Sequence, residues 1–297
     1  MRSPIRGNKT MLLFLIYFFV IQLVITAVML VLGFDIEQDF LIVTGAGQIF
    51  GLFVPFCFYL LFTKQRQSEV LKWSPLGSKN ALLVVVISLS VIPMVHLISY
   101  LSSFVFFPVI NLMMVDLTVN PLWLSLLVIA VFPSLFEEFL MRGAIYSEYR
   151  DVSIKKAAIM TGLFFGIMHL NFHQAIYAGA FGVLYAYILF YTRSIWAPIL
   201  LHFINNGLAV VLAYSEAYTI WYDTLSENPL LFVTIIGGLS LILTPVLILG
   251  LKSLKNNNEP HEDTHDSSLK IFDWSFWLII AFFVIYAGIM EVAFRLI

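Results

Sequence analysis

Pro133-Ser134-Leu135-Phe136-Glu137-Glu138-Phe139-Leu140-Met141-Arg142-Gly143 sets two adjacent carboxylates and a guanidinium inside an apolar run covering 122–148. On a helix, Glu138 and Arg142 stand at i, i+4 on one face and can pair. Glu137 points about 100° away and has no partner in its own helix. A run of this length crosses a bilayer, which takes about 20 residues. Ionisable groups are costly there, so each one marks a candidate site. Glu138 reads most simply as half of a structural ion pair with Arg142. An unpaired carboxyl such as Glu137 is what a general acid or base requires.

The chain around this stretch is of one kind. Its 297 residues are 61% hydrophobic and 11% charged, with a mean hydropathy of +0.94. Soluble domains carry about 45–50% apolar and about 25% charged residues. Disordered, collagen-like, disulfide-rich and soluble globular classes are therefore set aside. The 28 Phe, 13 Tyr and 6 Trp suit a lipid-facing chain with interfacial anchors. A net charge of -2 argues against nucleic acid as a partner, and the single Cys57 forms no internal disulfide. The expected fold class is all-α: a polytopic transmembrane helix bundle.

Nine apolar runs are span candidates: 11–33, 40–63, 81–107, 122–148, 154–170, 174–191, 195–215, 230–251 and 274–294. The fifth and sixth are short and lie close together, so a count of eight full spans is the alternative. The first run lacks a small-residue cleavage site and reads as an anchor. With the N-terminus in the cytoplasm, every one of the 16 Lys and Arg residues except Arg295 falls on the cytoplasmic side. The opposite segments hold Asp35, Glu37, Asp39, Asp116, Glu216, Asp223 and Glu227. This is the positive-inside pattern. The organisation expected is N-terminal helices over 1–120, a catalytic core over 121–215, and C-terminal helices over 216–297 with a polar linker at 252–272. His261 and His265 in that linker read as solvated loop residues rather than metal ligands.

Two further polar elements lie in the core. Phe164-Phe165-Gly166-Ile167-Met168-His169 carries a lone histidine, which by itself is more often a hydrogen-bonded core residue. In His202-Phe203-Ile204-Asn205-Asn206, His202 and Asn206 share a helix face at i, i+4. That pattern suits either helix–helix polar contact or a site that holds an anion. An antiparallel hairpin turning at Arg150-Asp151-Val152-Ser153 puts Glu137 and His169 at one height, roughly 24 Å from the turn. His202 reaches the same height if the 142–156 tip projects about 12 Å into water. Arg142, Glu148, Arg150, Asp151, Lys155 and Lys156 suit such a tip.

One carboxylate, two imidazoles and a carboxamide would then converge. Glu137 and His169 can deprotonate a water, while His202 and Asn206 stabilise a tetrahedral oxyanion. Alternatively Glu137, His169 and His202 could hold a zinc ion with an open position for water. No HExxH motif is present. The residues do not choose between the two.

At these positions the chain resembles the CPBP family of intramembrane proteases, which includes the CAAX prenyl endopeptidases. The family marks EExxxR, FxxxH and HxxxN correspond to Glu137–Arg142, Phe165–His169 and His202–Asn206. They fall in order, 32 and 33 residues apart. The resemblance covers roughly 120–215. It implies hydrolysis of a peptide bond within the membrane. Glu137 and His169 would activate water, His202 and Asn206 would hold the oxyanion, and Arg142 would support Glu138. The resemblance allows both a zinc-dependent and a glutamate-dependent route; an ion pair and an oxyanion pair leave too few ligands for a tight metal site, which favours the glutamate-dependent one, with zinc kept as the alternative cofactor. Implied partners are membrane lipids and a membrane-associated peptide or protein. The chain size, the absence of a transit peptide and the Lys/Arg asymmetry suit a bacterial plasma membrane.

Other polar residues are read structurally. His96 is a contact to a neighbouring helix, and His173 caps a turn. Glu291 and Arg295 pair, and Gly45, Gly47 and Gly51 are close-packing points. Ser134 is not a nucleophile. Two other functions remain. A non-enzymatic immunity or scaffold protein could reuse the protease fold, and a proton-coupled transporter could use the same Glu and His as a relay. No internal repeat supports the transporter.

Overall fold

A computed structural model describes residues 3–34, 39–109, 117–258 and 269–296. Among these, eight helices are long and apolar enough to cross a membrane. We number the helices in chain order: α1 Pro4–Val31, α2 Phe40–Thr63, a short α3 Gln67–Leu71, α4 Ser78–Ser103 and α5 Leu122–Glu148. Then follow α6 Ile154–Ile167, α7 Phe172–Thr192, α8 Trp196–Ala213, α9 Glu216–Ser226, α10 Pro229–Asn257 and α11 Trp274–Leu296. His261 and His265 lie outside the described residues.

The helix starts follow local chemistry. Side chains of Ser3, Ser153, Asn171, Ser215 and Asn228 accept hydrogen bonds from the first-turn amides of α1, α6, α7, α9 and α10. Pro4 and Pro229 occupy first-turn positions where no amide hydrogen is needed. Lys64, Lys72 and Arg193 end α2, α3 and α7 in the left-handed conformation.

The run at 154–170 departs from the nine-span expectation. Its helix α6 has 14 residues, or roughly 21 Å, too short for a full span. It is wrapped by protein, with Ala157, Ala158, Phe164, Phe165 and Ile167 buried, so lipid does not dictate its length. It still reverses the chain. It leaves the end where Glu148 meets Arg6 and reaches the end where His173 meets Ser99.

The tip of the α5–α6 hairpin is the second departure. Of the residues expected in water, Asp151 and Lys155 are exposed, yet Arg142 and Glu148 are fully buried, as are Ser147 and Tyr149. Distant partners enclose them. Glu148 accepts from the Tyr59 hydroxyl at 2.6 Å and faces the Arg6 guanidinium at 3.3 Å. Tyr149 donates to Asn8, whose amide reaches Asp273 at 2.8 Å. Burial alone would raise the Asp273 carboxyl; hydrogen bonds from Asn8 and Ser275 hold it below the usual carboxylate range. Gly7 permits this docking, since a Cβ there would meet the Tyr149 ring at 2.6 Å. The polar linker also begins later than expected. Helix α10 runs through Asn257, with Leu254 buried and Asn258 bonded to Asn80.

Helices α6 and α7 pack closely, and glycine sets their distance. A Cβ on Gly166 would lie 2.5 Å from the Ala175 carbonyl oxygen, and one on Gly182 would lie 2.7 Å from the Gly162 Cα. Small residues let membrane helices approach in this way. Helix α8 packs on α4 and α5, α10 lies along α4, and α1 meets α11. The outer helices turn Leu23, Leu30, Leu241, Ile242, Ile285 and Ile289 outward, as a lipid surround requires.

Gly166→Ala should destabilise the protein by about 1–3 kcal/mol through overpacking. Gly288→Ala, where nothing lies within 4 Å of the added atom, should be neutral or slightly stabilising. Thermal unfolding of the two variants in one detergent makes the comparison.

Candidate active site

Arg142 follows Glu138 by one turn, inside a stretch of α5, Phe139–Ile145, that is wound as π-helix. Such stretches are rare and gather at functional sites. The Arg142 Nε lies 3.2 Å from Glu138 Oε2, and both side chains are fully buried. The Arg142 Nη2 donates to the Gly182 carbonyl at 2.8 Å. Its guanidinium also lies over the Phe165 ring at 4.6 Å and the Tyr185 ring at 5.0 Å. The second oxygen of Glu138 accepts from His202 Nδ1 at 3.0 Å. Glu138 is thus held from two sides, by an ion pair at Oε2 that is not a hydrogen bond and by a hydrogen bond at Oε1.

Glu137 is the opposite case. Its side chain is 14% exposed, and its Oε2 is buried with no hydrogen-bond partner. His202 Nε2 lies 4.0 Å from it. Because Nδ1 of His202 is taken by Glu138, Nε2 is the nitrogen turned toward Glu137.

His169 stands just past the end of α6. Its Nδ1 donates to the Phe165 carbonyl at 2.8 Å, so Nε2 is left as the acceptor. Glu137 and His202 both lie within electrostatic reach of it. The next residue, Leu170, sits in the left-handed region at φ 56°, a conformation that costs energy for a branched side chain. Asn171 stabilises this bend by donating to the His169 carbonyl at 2.9 Å and capping α7. Asn206, one turn beyond His202, gives one Nδ2 hydrogen to the Ile129 carbonyl at 3.0 Å. Ile129 belongs to a second π-helical stretch, Leu126–Val131. One Nδ2 hydrogen of Asn206 remains.

The structure therefore brings Glu137, Glu138, Arg142, His169 and His202 into one cluster, with Asn206 bridging α8 to α5. Sequence reading missed one contact and two participants. Glu138 holds His202 as well as Arg142. Tyr185 and Gly182 complete the guanidinium seat. No motif marks Tyr185 among the 13 tyrosines; only the fold brings it in.

The structurally read residues behave mainly as contacts. His96 packs on the Tyr222 ring at 5.6 Å, Arg295 pairs with Glu291 at 2.6 Å, and Gly47 and Gly51 meet Gln22 and Phe18 closely. Gly45 makes only ordinary contact with Val128, at 3.7 Å. Ser134 is spent on the Val131 carbonyl. His173 differs from expectation: it is buried and bonds to the Ser99 carbonyl at 3.0 Å, while Asn171 supplies the cap.

Residues 118–208 match the family model described as Type II CAAX prenyl endopeptidase Rce1-like. The resemblance carried by the three motifs holds over this Rce1-like segment, which contains every residue of the cluster. The chain is also 25% identical over 119 residues to a Bacillus subtilis (strain 168) protein named "Putative membrane peptidase YdiL". That alignment covers 40% of this chain and 47% of the relative, so the chain spans about half the length of the curated relative it matches. No solved structure matches the chain.

The zinc alternative is tested on the donor set. Among the described residues, no group of three or more His, Cys, Asp or Glu is arranged to hold a metal ion. Donors sharing a tetrahedral zinc lie roughly 3.3 Å apart, against 4.0 Å between His202 Nε2 and Glu137 Oε2. A carboxylate behind a histidine, as Glu138 stands behind His202, also orients metal ligands, so the deciding feature is the donor spacing. As placed, the Glu137 and His202 donors stand further apart than two donors on one zinc.

Arg142→Met should cost about 3–5 kcal/mol, because it leaves Glu138 buried without its cation. Glu137→Gln leaves the Arg142–Glu138–His202 chain in place and touches only the long 4.0 Å contact to His202, so it should stay within about 0.5 kcal/mol of the parent. Equilibrium unfolding in mixed micelles reads both values.

Proposed function

We propose that the protein is an intramembrane endopeptidase that hydrolyses a peptide bond in a membrane-associated peptide or protein. One observation carries this reading. Of two adjacent glutamates, Glu138 is fully buried, ion-paired to Arg142 and bonded to His202, while Glu137 is partly exposed, pairs with no guanidinium and keeps an unbonded Oε2 4.0 Å from His202 Nε2. A structural role explains the first and not the second. The Rce1-like match over 118–208 and the similarity to a protein named as a membrane peptidase support the same class.

In the reaction, Glu137 and His169 Nε2 hold a water between them. Glu137 takes a proton as the oxygen attacks the scissile carbonyl carbon. The carbonyl oxygen becomes the oxyanion, stabilised by His202 in its protonated form and the remaining Nδ2 hydrogen of Asn206. Glu138 keeps the His202 ring oriented and stabilises its positive charge. Collapse of the intermediate breaks the C–N bond, and the proton taken from water passes to the leaving amine. No step runs through a metal. The substrate class does not require a prenyl group. We place the protein in a bacterial plasma membrane, on its apolar helices, its Lys/Arg asymmetry and its bacterial relative.

Fluorogenic membrane-peptide reporters, a prenylated CAAX peptide among them, test the proposal with protein in nanodiscs. Glu137→Ala and His169→Ala should each lower cleavage by about 10²–10⁴-fold with the fold retained. Cleavage by the parent should survive a strong chelator. Cleavage by Glu137→Ala at the parental rate would overturn the assignment, and loss with chelator would restore the metal route.

A further inference from the structure

We propose that Tyr185 is a positioning residue: its ring, with that of Phe165, forms an aromatic seat for Arg142 that fixes Glu138 and thereby the His202 imidazole. This rests on reading Glu138 and His202 as parts of the active site, but it makes its own structural claim.

The Arg142 guanidinium is fully buried and short of acceptors. It has five N–H donors, of which Nη2 is bonded to Gly182 and Nε faces Glu138 at 3.2 Å. Nη1 has no hydrogen-bond partner. The charge is met instead by ring faces, Phe165 at 4.6 Å and Tyr185 at 5.0 Å. A desolvated guanidinium gains most from such contacts. A planar cation held over rings is also fixed in orientation, which an ammonium would not be.

Tyr185 is placed for this by the backbone. It lies one turn after Gly182 on α7, so one helix face offers the guanidinium both a carbonyl and a ring. That face is close enough because Gly182 packs directly on Gly162. The Tyr185 ring also lies against His202, at 5.4 Å and 31°, and Phe165 meets His202 edge-on at 5.9 Å. The seat therefore touches both ends of the Arg142–Glu138–His202 chain. What Tyr185 presents to Arg142 and to His202 is its ring, so the ring and not the hydroxyl does the positioning.

The test reads His202 directly and needs no substrate, so it stands whether or not a reporter is cleaved. Protein with ¹³C,¹⁵N-histidine is placed in nanodiscs, and the His202 signal among six histidines is assigned with His202→Gln. Tyr185→Phe should keep the single His202 signal of the parent, with its Nδ1–H held by Glu138. Tyr185→Leu and the better-filling Tyr185→Met should replace it with several signals from differently oriented rings, while the His96 and His173 signals stay in place and report an intact fold. An unchanged His202 signal in Tyr185→Met would overturn the proposal. So would a Tyr185→Phe spectrum as disturbed as that of Tyr185→Leu, which would give the role to the hydroxyl. Movement of His96 and His173 by as much as His202 in both larger changes would also overturn it, by making Tyr185 a general packing residue.

Discussion

A cation and an anion buried together, Arg142 and Glu138, constrain the rest of the site. Removing two charges from water costs several kcal/mol each, and the pair is tolerable only with further compensation. That compensation is spread over three helices. Gly182 of α7 gives a carbonyl, Tyr185 of α7 and Phe165 of α6 give ring faces, and His202 of α8 gives an N–H to Glu138. Each group satisfies the ion pair and is itself fixed by it. The packing of α6 on α7 through Gly162 and Gly182 is thus a requirement of the charge chemistry as well as of helix packing.

The same constraint separates two residues of identical type. Adjacent positions on a helix point about 100° apart, so Glu138 turns into the ion pair while Glu137 turns toward His202 Nε2. Difference of environment, not of residue, gives one a structural role and leaves the other available. His169 reaches this side of the cluster by a different device, a short helix ending in a left-handed Leu170, held by Asn171. The strain of that bend is local to the residue proposed to help activate water.

What the sequence made legible was local. The apolar runs marked the long helices, and the i, i+4 spacing gave the Glu138–Arg142 pair. The three motifs marked the residues that the fold brings together. What it hid was long-range. Glu148 read as a solvent-facing residue because its partners, Arg6 and Tyr59, lie on α1 and α2. The α6 span read as longer because hydropathy does not distinguish a lipid surround from a protein one. The π-helical stretches have no periodic signature, and Tyr185 belongs to no motif.

The central claim is that Arg142 is energetically coupled to Glu138 and not to Glu137. Two double-mutant cycles on unfolding free energy, Glu138→Gln with Arg142→Met and Glu137→Gln with Arg142→Met, test it most directly. The account predicts a coupling of about 2 kcal/mol or more for the first and no more than about 0.5 kcal/mol for the second. Equal couplings, or the larger one on Glu137, would contradict it.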